Sequence, residues 1–181
     1  MKFTPLQIPE VVLVEPQVFG DERGWFQISY NRQEFAAGLG HEVDFVQDNH
    51  SRSAGRVLRG MHYQLRRPQG KLVRVVQGRV YDVAVDMRRS SPHFGQWVGQ
   101  ELSAENRRML WVPPGFAHGF VTLSDSAEFI YKVTEYYAPE QERCLLWNDP
   151  EVGIAWPIDF TPTLAKKDSG GQSLRDIEAF P

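Results

Sequence analysis

The chain is poor in cysteine, with Cys144 alone among 181 residues. That excludes an intrachain disulfide and suits a reducing cytoplasm. No motif surrounds Cys144, so it reads as a packed thiol rather than a nucleophile. An excess of charge of one sign is also missing, because 20 basic residues meet 23 acidic ones for a formal net charge of -3. Such a balance fits neither a nucleic-acid tract nor a polybasic membrane patch, so any bound anion must be met by a few placed cations. Long apolar runs are absent too, both of the signal-peptide and of the membrane-spanning kind. Internal repeats and low-complexity tracts are lacking. What remains is enough length for one domain over residues 1–181, with a core that needs no disulfide or metal staple.

Short β-rich runs recur from Val11 to Tyr137, separated by Gly, Pro, Asn and Ser. That spacing predicts an antiparallel sandwich or barrel. The strand candidates are Val11 to Val14, Trp25 to Tyr30, Phe45-Val46, Lys71 to Val76, Val80 to Asp86, Met109 to Val112, Phe116 to Leu123 and Phe129 to Tyr137. Lys71 to Asp86 reads as a hairpin turning near Gln77-Gly78, since β-branched residues fill both arms and glycine sits at the reversal. One helix is predicted after Asn31, which can cap it with Glu34 three positions on and Phe35 and Leu39 as an apolar pair, ending near Gly40. A helical turn is expected to begin at Ser103. The prolines and Gly170-Gly171 beyond Trp147 predict loops and short helical pieces wrapping the barrel over 147–181.

Strand alternation places Phe116, His118 and Phe120 on one face, Phe129 with Tyr131 and Val133 on another, and Lys71 with Val73 and Val75. Gly60, His62 and Gln64 likewise share a face. Taken alone, composition favours a bland role for each polar member: His118 a hydrogen-bonded core histidine, Tyr131 a core aromatic, Lys71 a solvated strand end. Together they would put titratable groups inside a low-dielectric barrel, where pKa values shift and acid/base work becomes possible.

Two segments, Gly60-Met61-His62-Tyr63-Gln64 with Lys71, and Pro113-Pro114-Gly115-Phe116-Ala117-His118, resemble the two signature motifs of the cupin superfamily. The resemblance implies a mostly β fold, a cupin-type jelly roll or double-stranded β-helix barrel with a few short peripheral helices. Cupins use these positions to hold a divalent cation, but Gln64 and Lys71 stand where a histidine and a carboxylate are expected. Two histidines are too few for a transition-metal site, and the Lys71 ammonium would repel the ion. No metal is therefore expected.

The match extends through Val18 to Phe26, Phe45 to Ser51, Leu58 to Gln64, Gly70 to Val75, Asp82 to Asp86, Ser91 to Gly95, Pro113 to Phe120, Tyr131-Lys132, Leu146 to Pro150 and Lys166-Lys167-Asp168. So many blocks in one order resemble the metal-free dTDP-4-dehydrorhamnose 3,5-epimerases of deoxysugar biosynthesis, over nearly the whole chain. The resemblance implies an isomerase with no cofactor. Its substrate is a nucleotide-linked 4-keto-6-deoxy sugar, whose carbonyl acidifies the hydrogens on carbons 3 and 5. It implies His62 as base, oriented by Asp168, with Lys71 beside the enolate oxygen and Tyr131 as the acid on the opposite face. Arg23 and Arg59 are implied as diphosphate ligands, with Gln47 and Asn49 nearby and His118, Glu142 and Lys167 as further substrate contacts. Phe19, Phe26 and Tyr136 are candidates for the thymine or sugar. A homodimer is implied, in which the segment from Phe19 to Phe26 enters the partner's site.

Three departures from the family pattern stand out: Ile28 in place of a glutamate, Gln172 in place of a proline, and Arg143-Cys144 where small residues are usual. A relative acting at carbon 3 or carbon 5 only is the nearest alternative. A metal-dependent cupin dioxygenase lacks its ligands here, and a non-catalytic sugar-binding cupin would have no use for a His-Asp pair facing a tyrosine.

Overall fold

Thirteen strands and two short helices follow one another along residues 1–181 of the computed structural model. In chain order the strands are β1 (Lys2–Pro5), β2 (Val12–Glu15), β3 (Val18–Asp21), β4 (Gly24–Gln27), β5 (Gln47–Ala54), β6 (Leu58–Gln64) and β7 (Lys71–Gln77). They continue as β8 (Arg79–Asp86), β9 (Trp97–Ser103), β10 (Met109–Val112), β11 (Phe116–Thr122), β12 (Ser126–Val133) and β13 (Glu142–Cys144). Helix α1 covers Arg32–Leu39 and α2 covers Lys166–Ser169.

Two antiparallel sheets face each other, ordered β1-β2-β10-β7-β12-β5 and β13-β6-β11-β8-β9. The mostly β, jelly-roll expectation therefore holds. Alternation explains the shared core: Val73, Val75, Leu110, Val112 and Phe129 point inward from the first sheet and meet Val80, Ala84, Leu102, Phe116 and Phe120 from the second. Phe120 stacks on Phe129 with ring centroids 4.3 Å apart, closing the core beneath the polar end of the barrel.

Residues of the opposite parity build two outer layers. On the first sheet Val12, Val14, Leu72, Met109 and Trp111 receive Phe35 from α1, a burial that stabilises by roughly 1.5–3 kcal/mol. Asn31 caps α1 as read, its Oδ1 accepting from the Glu34 N–H at 3.0 Å, and Gly40 ends the helix at φ 80°, while the Glu34 carboxylate meets the Met1 amino group instead of closing a capping box. On the second sheet Met61, Tyr63, Val83, Val85, Met87 and Leu145 are covered by the C-terminal segment through Val152, Ile177, Leu174 and Phe180. That segment is mostly loop, as expected, and it carries α2 back to the barrel mouth.

Several element expectations need correction. Lys71 to Asp86 is not a hairpin: β7 pairs with β10 and β12, while β8 pairs with β9 and β11, so the chain crosses between sheets at Gly78. Both arms are apolar because each faces the shared core, not because they hydrogen-bond to one another. Ser103 opens a turn rather than a helix, in which its Oγ accepts from the Asn106 N–H and Asn106 Oδ1 accepts from the Ser103 N–H. Phe45-Val46 lies outside the strands, β4 stops at Gln27, and the strand expected from Phe129 runs over Ser126–Val133.

His62 and Gln64 share the inner face of β6 as alternation predicts, but Gly60 does not continue it. A register shift against β11 pairs His62 with His118 but Arg59 with Phe120. Arg59 and His62 thus both face inward, and Gly60 is taken up in the irregularity. Gly60 has φ 128°, and a Cβ there would lie 2.6 Å from the Gly119 Cα. Gly60→Ala should therefore cost about 2 kcal/mol or more. A shift of the denaturant midpoint at unchanged m-value checks this, and a variant as stable as the parent would contradict it.

Candidate active site

A cavity of about 440 Å³ opens between the two sheets at the end of the core. Its walls follow from strand register. On the first sheet, cross-strand rows place Gln47, Val133 and Lys71 side by side, then Asn49, Tyr131 and Val73. On the second, His62 pairs with His118 and Glu142 neighbours Gln64. His62 therefore stands on the wall opposite Tyr131 and Lys71.

Asp168 reaches the site from α2, which the C-terminal wrap delivers beside β6. His62 Nε2 and Asp168 Oδ1 are 2.7 Å apart, and the carboxylate is buried. With the carboxylate ionised, Nε2 carries the ring proton and donates it, leaving the lone pair on Nδ1. The neighbouring strap is held by Lys167 Nζ, which donates to both oxygens of Glu142 at 3.0 and 3.1 Å. Burial opposes the Lys167 charge, yet the Glu142 bond raises its pKa above the usual lysine value.

Lys71 is pulled down from 10.5 to about 8 because its ammonium is withdrawn from water, against the favourable charges of Asp82 and Glu142 and with Lys167 adding to the fall. Asp82 is fully buried and shifted upward by that burial, while His118 and Lys71 draw it back. His118 Nε2 lies 2.9 and 3.0 Å from its two oxygens. Tyr131 is raised above the ordinary phenol value, first by burial, against the pull of Arg59 and Lys167. It stays a proton donor at neutral pH.

Lys71, Asp168, His62, Tyr131, Arg59, Gln47, Asn49, His118, Glu142 and Lys167 all line this one cavity. Arg59 is anchored by donating Nε to Ser53 Oγ at 2.9 Å, and Gln47 Nε2 donates to Asn49 Oδ1 at 2.7 Å. Arg23, Phe19 and Phe26 do not join them in the same subunit. They lie on the β3–β4 hairpin, which pairs only with itself, and Phe19, Trp25 and Phe26 are 52%, 58% and 64% exposed. Arg23 bonds there to Asp21.

Two residues escaped the sequence reading. Asp82, partner of His118, carried a signal: it shares the inward parity of Val80 and Ala84, an acid on an apolar face. Tyr137, not the expected Tyr136, lines the cavity, with its hydroxyl 3.4 Å from Glu142 Oε2. β12 ends at Val133 and the chain bends at Thr134-Glu135, so strand parity gave no signal for it. Gln64, at a cupin ligand position, spends its amide on backbone: Nε2 donates to Arg67 and Tyr136 carbonyls and Oε1 accepts from the Ala138 N–H. Metal-ligand chemistry at that position has given way to structural bonding.

This is a cupin-type barrel in which two motif positions carry the His62 imidazole and the Lys71 ammonium, with the Asp168 carboxylate against the first and the Tyr131 phenol on the wall opposite it. The sequence profile of dTDP-4-dehydrorhamnose 3,5-epimerase matches residues 5–176. A dTDP-4-dehydrorhamnose 3,5-epimerase of Pseudomonas aeruginosa is 61% identical over 181 residues, covering 100% of both chains. A crystal structure of dTDP-6-deoxy-D-glucose-3,5-epimerase from Legionella pneumophila, in complex with dTDP-4-keto-L-rhamnose, superposes with a TM-score of 0.95. It is 48% identical, and the match covers 98% of this chain and 94% of that one. More distant is a 3'-monoepimerase from Streptomyces bikiniensis in complex with dTDP-quinovose, 34% identical with a TM-score of 0.89 over 97% of this chain and 88% of that one. The chain belongs to the dTDP-4-dehydrorhamnose 3,5-epimerase family.

The Lys71 environment makes a checkable statement. Its ammonium should titrate near 8 by NMR of the labelled side chain, and Asp82→Asn should move the midpoint lower by removing a charge that favours the ammonium. Between about 8 and 10.5 the folded state sheds a proton that the unfolded state keeps, so the Lys71 contribution to stability rises with pH there. A midpoint near the ordinary 10.5 would contradict the enclosure.

Proposed function

We propose that the chain epimerises carbons 3 and 5 of dTDP-4-dehydro-6-deoxy-D-glucose, giving dTDP-4-dehydro-L-rhamnose. The observation that carries this is the His62–Asp168 pair on one wall facing Tyr131 and Lys71 on the other. The 4-keto group acidifies the C–H bonds on both neighbouring carbons. His62 Nδ1 takes one of these protons, the bonding electrons delocalise onto the carbonyl oxygen, and the Lys71 ammonium stabilises the enolate. Tyr131 then delivers its hydroxyl proton to the opposite face of the same carbon, and solvent restores both groups before the second carbon reacts. A positioned acid or base contributes about 10²–10⁴-fold, and a charge aimed at the developing oxyanion a comparable amount. The ammonium does the work that a Lewis-acid metal does elsewhere. The double reaction is favoured over a single one by the 61% identity to a 3,5-epimerase against 34% to a monoepimerase.

The diphosphate is met by Arg59 and, we infer, by Arg23 of a second copy in a homodimer. Support comes from the β3–β4 hairpin, which leaves Phe19 and Phe26 more than half exposed, holds Trp25 against the Arg107 guanidinium and pairs Arg23 only with Asp21 of the same hairpin. Planar guanidinium groups suit the paired phosphate oxygens. Tyr137 supplies an aromatic face at the mouth for the thymine. We place the reaction in the cytoplasm, the compartment that suits a nucleotide-sugar substrate and a reduced thiol. No helix is long and apolar enough to cross a membrane.

Proton NMR of the nucleotide sugar in heavy water tests the chemistry. The parent should exchange at carbons 3 and 5, His62→Ala at neither, and Tyr131→Phe should exchange but invert poorly. Asp168→Asn should lower kcat by about 10³-fold or more by disturbing the tautomer. Exchange at one carbon only in the parent would turn the reading to a single epimerase. Full epimerisation by Tyr131→Phe would remove the acid from its role.

Sharing of the site between subunits has its own test. Arg23→Ala and His62→Ala chains, each impaired alone, should on co-expression regain about a quarter of parental activity, because half the dimers are mixed and each then holds one complete site. No recovery would mean that Arg23 acts within its own subunit or not at all.

A further inference from the structure

We propose that Cys144, His62 and Asp168 form a binding site for a soft divalent cation such as Zn²⁺ or Cd²⁺, and that its occupation silences the base. Cys144 and His62 are direct cross-strand partners of β13 and β6, so their side chains share a face. Asp168 arrives beside them from α2. The thiol sulfur, a ring nitrogen and a carboxylate oxygen all lie within 4.8 Å of one another, and His62 and Asp168 are already in contact at 2.7 Å. Tetrahedral zinc binds such donors at about 2.0–2.3 Å, which puts them roughly 3.3–3.7 Å apart. Side-chain shifts of about 1 Å would close the set.

The donor types suit such an ion. Thiolate selects zinc and cadmium over magnesium and calcium, imidazole accepts the same metals, and the carboxylate supplies a compensating charge. Sulfur has no competing strong bond, since its contacts are carbonyl oxygens of Gly60 and Leu145 at 3.7 and 3.8 Å. The opposing charge of Lys167 is neutralised by Glu142 at 3.0 Å. Of the cupin ligand positions this set uses His62 alone, since Gln64 further along β6 offers an amide already bonded to backbone and Lys71 on the opposite sheet an ammonium.

Proton bookkeeping gives the consequence. The ion displaces the thiol proton to solvent and occupies the Nε2 lone pair, which requires the neutral ring to carry its single proton on Nδ1. Nδ1 is the atom assigned as base, so a metal-loaded subunit has no lone pair for the sugar. Cation binding stands apart from the epimerase reading; only the silencing rests on it.

Turnover of the metal-free protein is measured first, so that failure of the epimerase reading shows before any metal is added. Cadmium is then titrated while thiolate-to-metal charge-transfer absorption and turnover are followed together. The parent should develop the absorption to one ion per chain, lose turnover in step, and recover both properties in chelator. Cys144→Ala should keep basal turnover, show no thiolate band and need at least about tenfold more cadmium for inhibition, since loss even of an outer-shell partner typically costs roughly 10–100-fold in metal affinity. Absence of the band in the parent overturns the proposal without reference to any variant. So does inhibition of Cys144→Ala at the parental concentration.

Discussion

The hydrogen bond between His62 and Asp168 joins the barrel to the segment that wraps it, across 106 residues of sequence. Neither partner could hold the other by local geometry. Asp168 is in place because Val152, Leu174, Ile177 and Phe180 bury themselves on the outer face of the second sheet, and because Leu145 and Gln172 bridge the wrap to the end of β13. Packing on the outside of the sheet therefore fixes a tautomer on the inside. Any loosening of that apolar layer should be felt first as loss of orientation at His62, before the barrel itself opens.

The interior has a second constraint, the cost of carrying ions away from water. Lys71 has no direct ion-pair partner, and its withdrawal from water lowers its pKa. Asp82 offsets it from the opposite sheet while bonding to His118, and Glu142 offsets it from the mouth while holding Lys167. Each acid thus serves two cationic or potentially cationic partners. An anionic oxygen arriving next to Lys71 would supply the charge the site lacks, so the resting site is electrostatically better suited to an enolate than to a neutral carbonyl.

The parts of this design that follow strand parity were legible in the sequence. Phe116, His118 and Phe120, and Phe129 with Tyr131, fall where alternation puts them, and the helix from Asn31 to Gly40 announced itself by its caps. What was illegible has physical causes. β5 reads Gln-Asp-Asn-His-Ser-Arg-Ser-Ala, polar on both faces, because one face lines the cavity and the other meets solvent. β7 and β8 resembled a hairpin because strands facing one core from opposite sheets carry the same composition as strands paired within a sheet. Arg59 faces inward only through the register shift at Gly60, which no period-two pattern can foresee. Alternation put His62 and Lys71 on inward faces, the place of Asp168 beside His62 was available only from resemblance, and register then explained why the first two face one another.

Under the proposed roles, the fold also decides which partner in the reaction must move. His62 and Tyr131 stand on strands of two opposed sheets, each paired on both sides, and neither wall can slide without breaking its ladder. Carbons 3 and 5 are the two ring neighbours of the carbonyl carbon, one on either side of it. One fixed base and one fixed acid can serve both only if the ring itself shifts between the two events. The nucleotide must then be held by contacts that tolerate this motion, and a diphosphate gripped by arginine side chains is such a joint, because its oxygens are near-equivalent acceptors and its P–O torsions are soft. Tight binding at the phosphates with loose binding at the sugar is therefore a requirement of double epimerisation. A family member that clamps the ring in a single pose would be confined to one carbon by the same barrel.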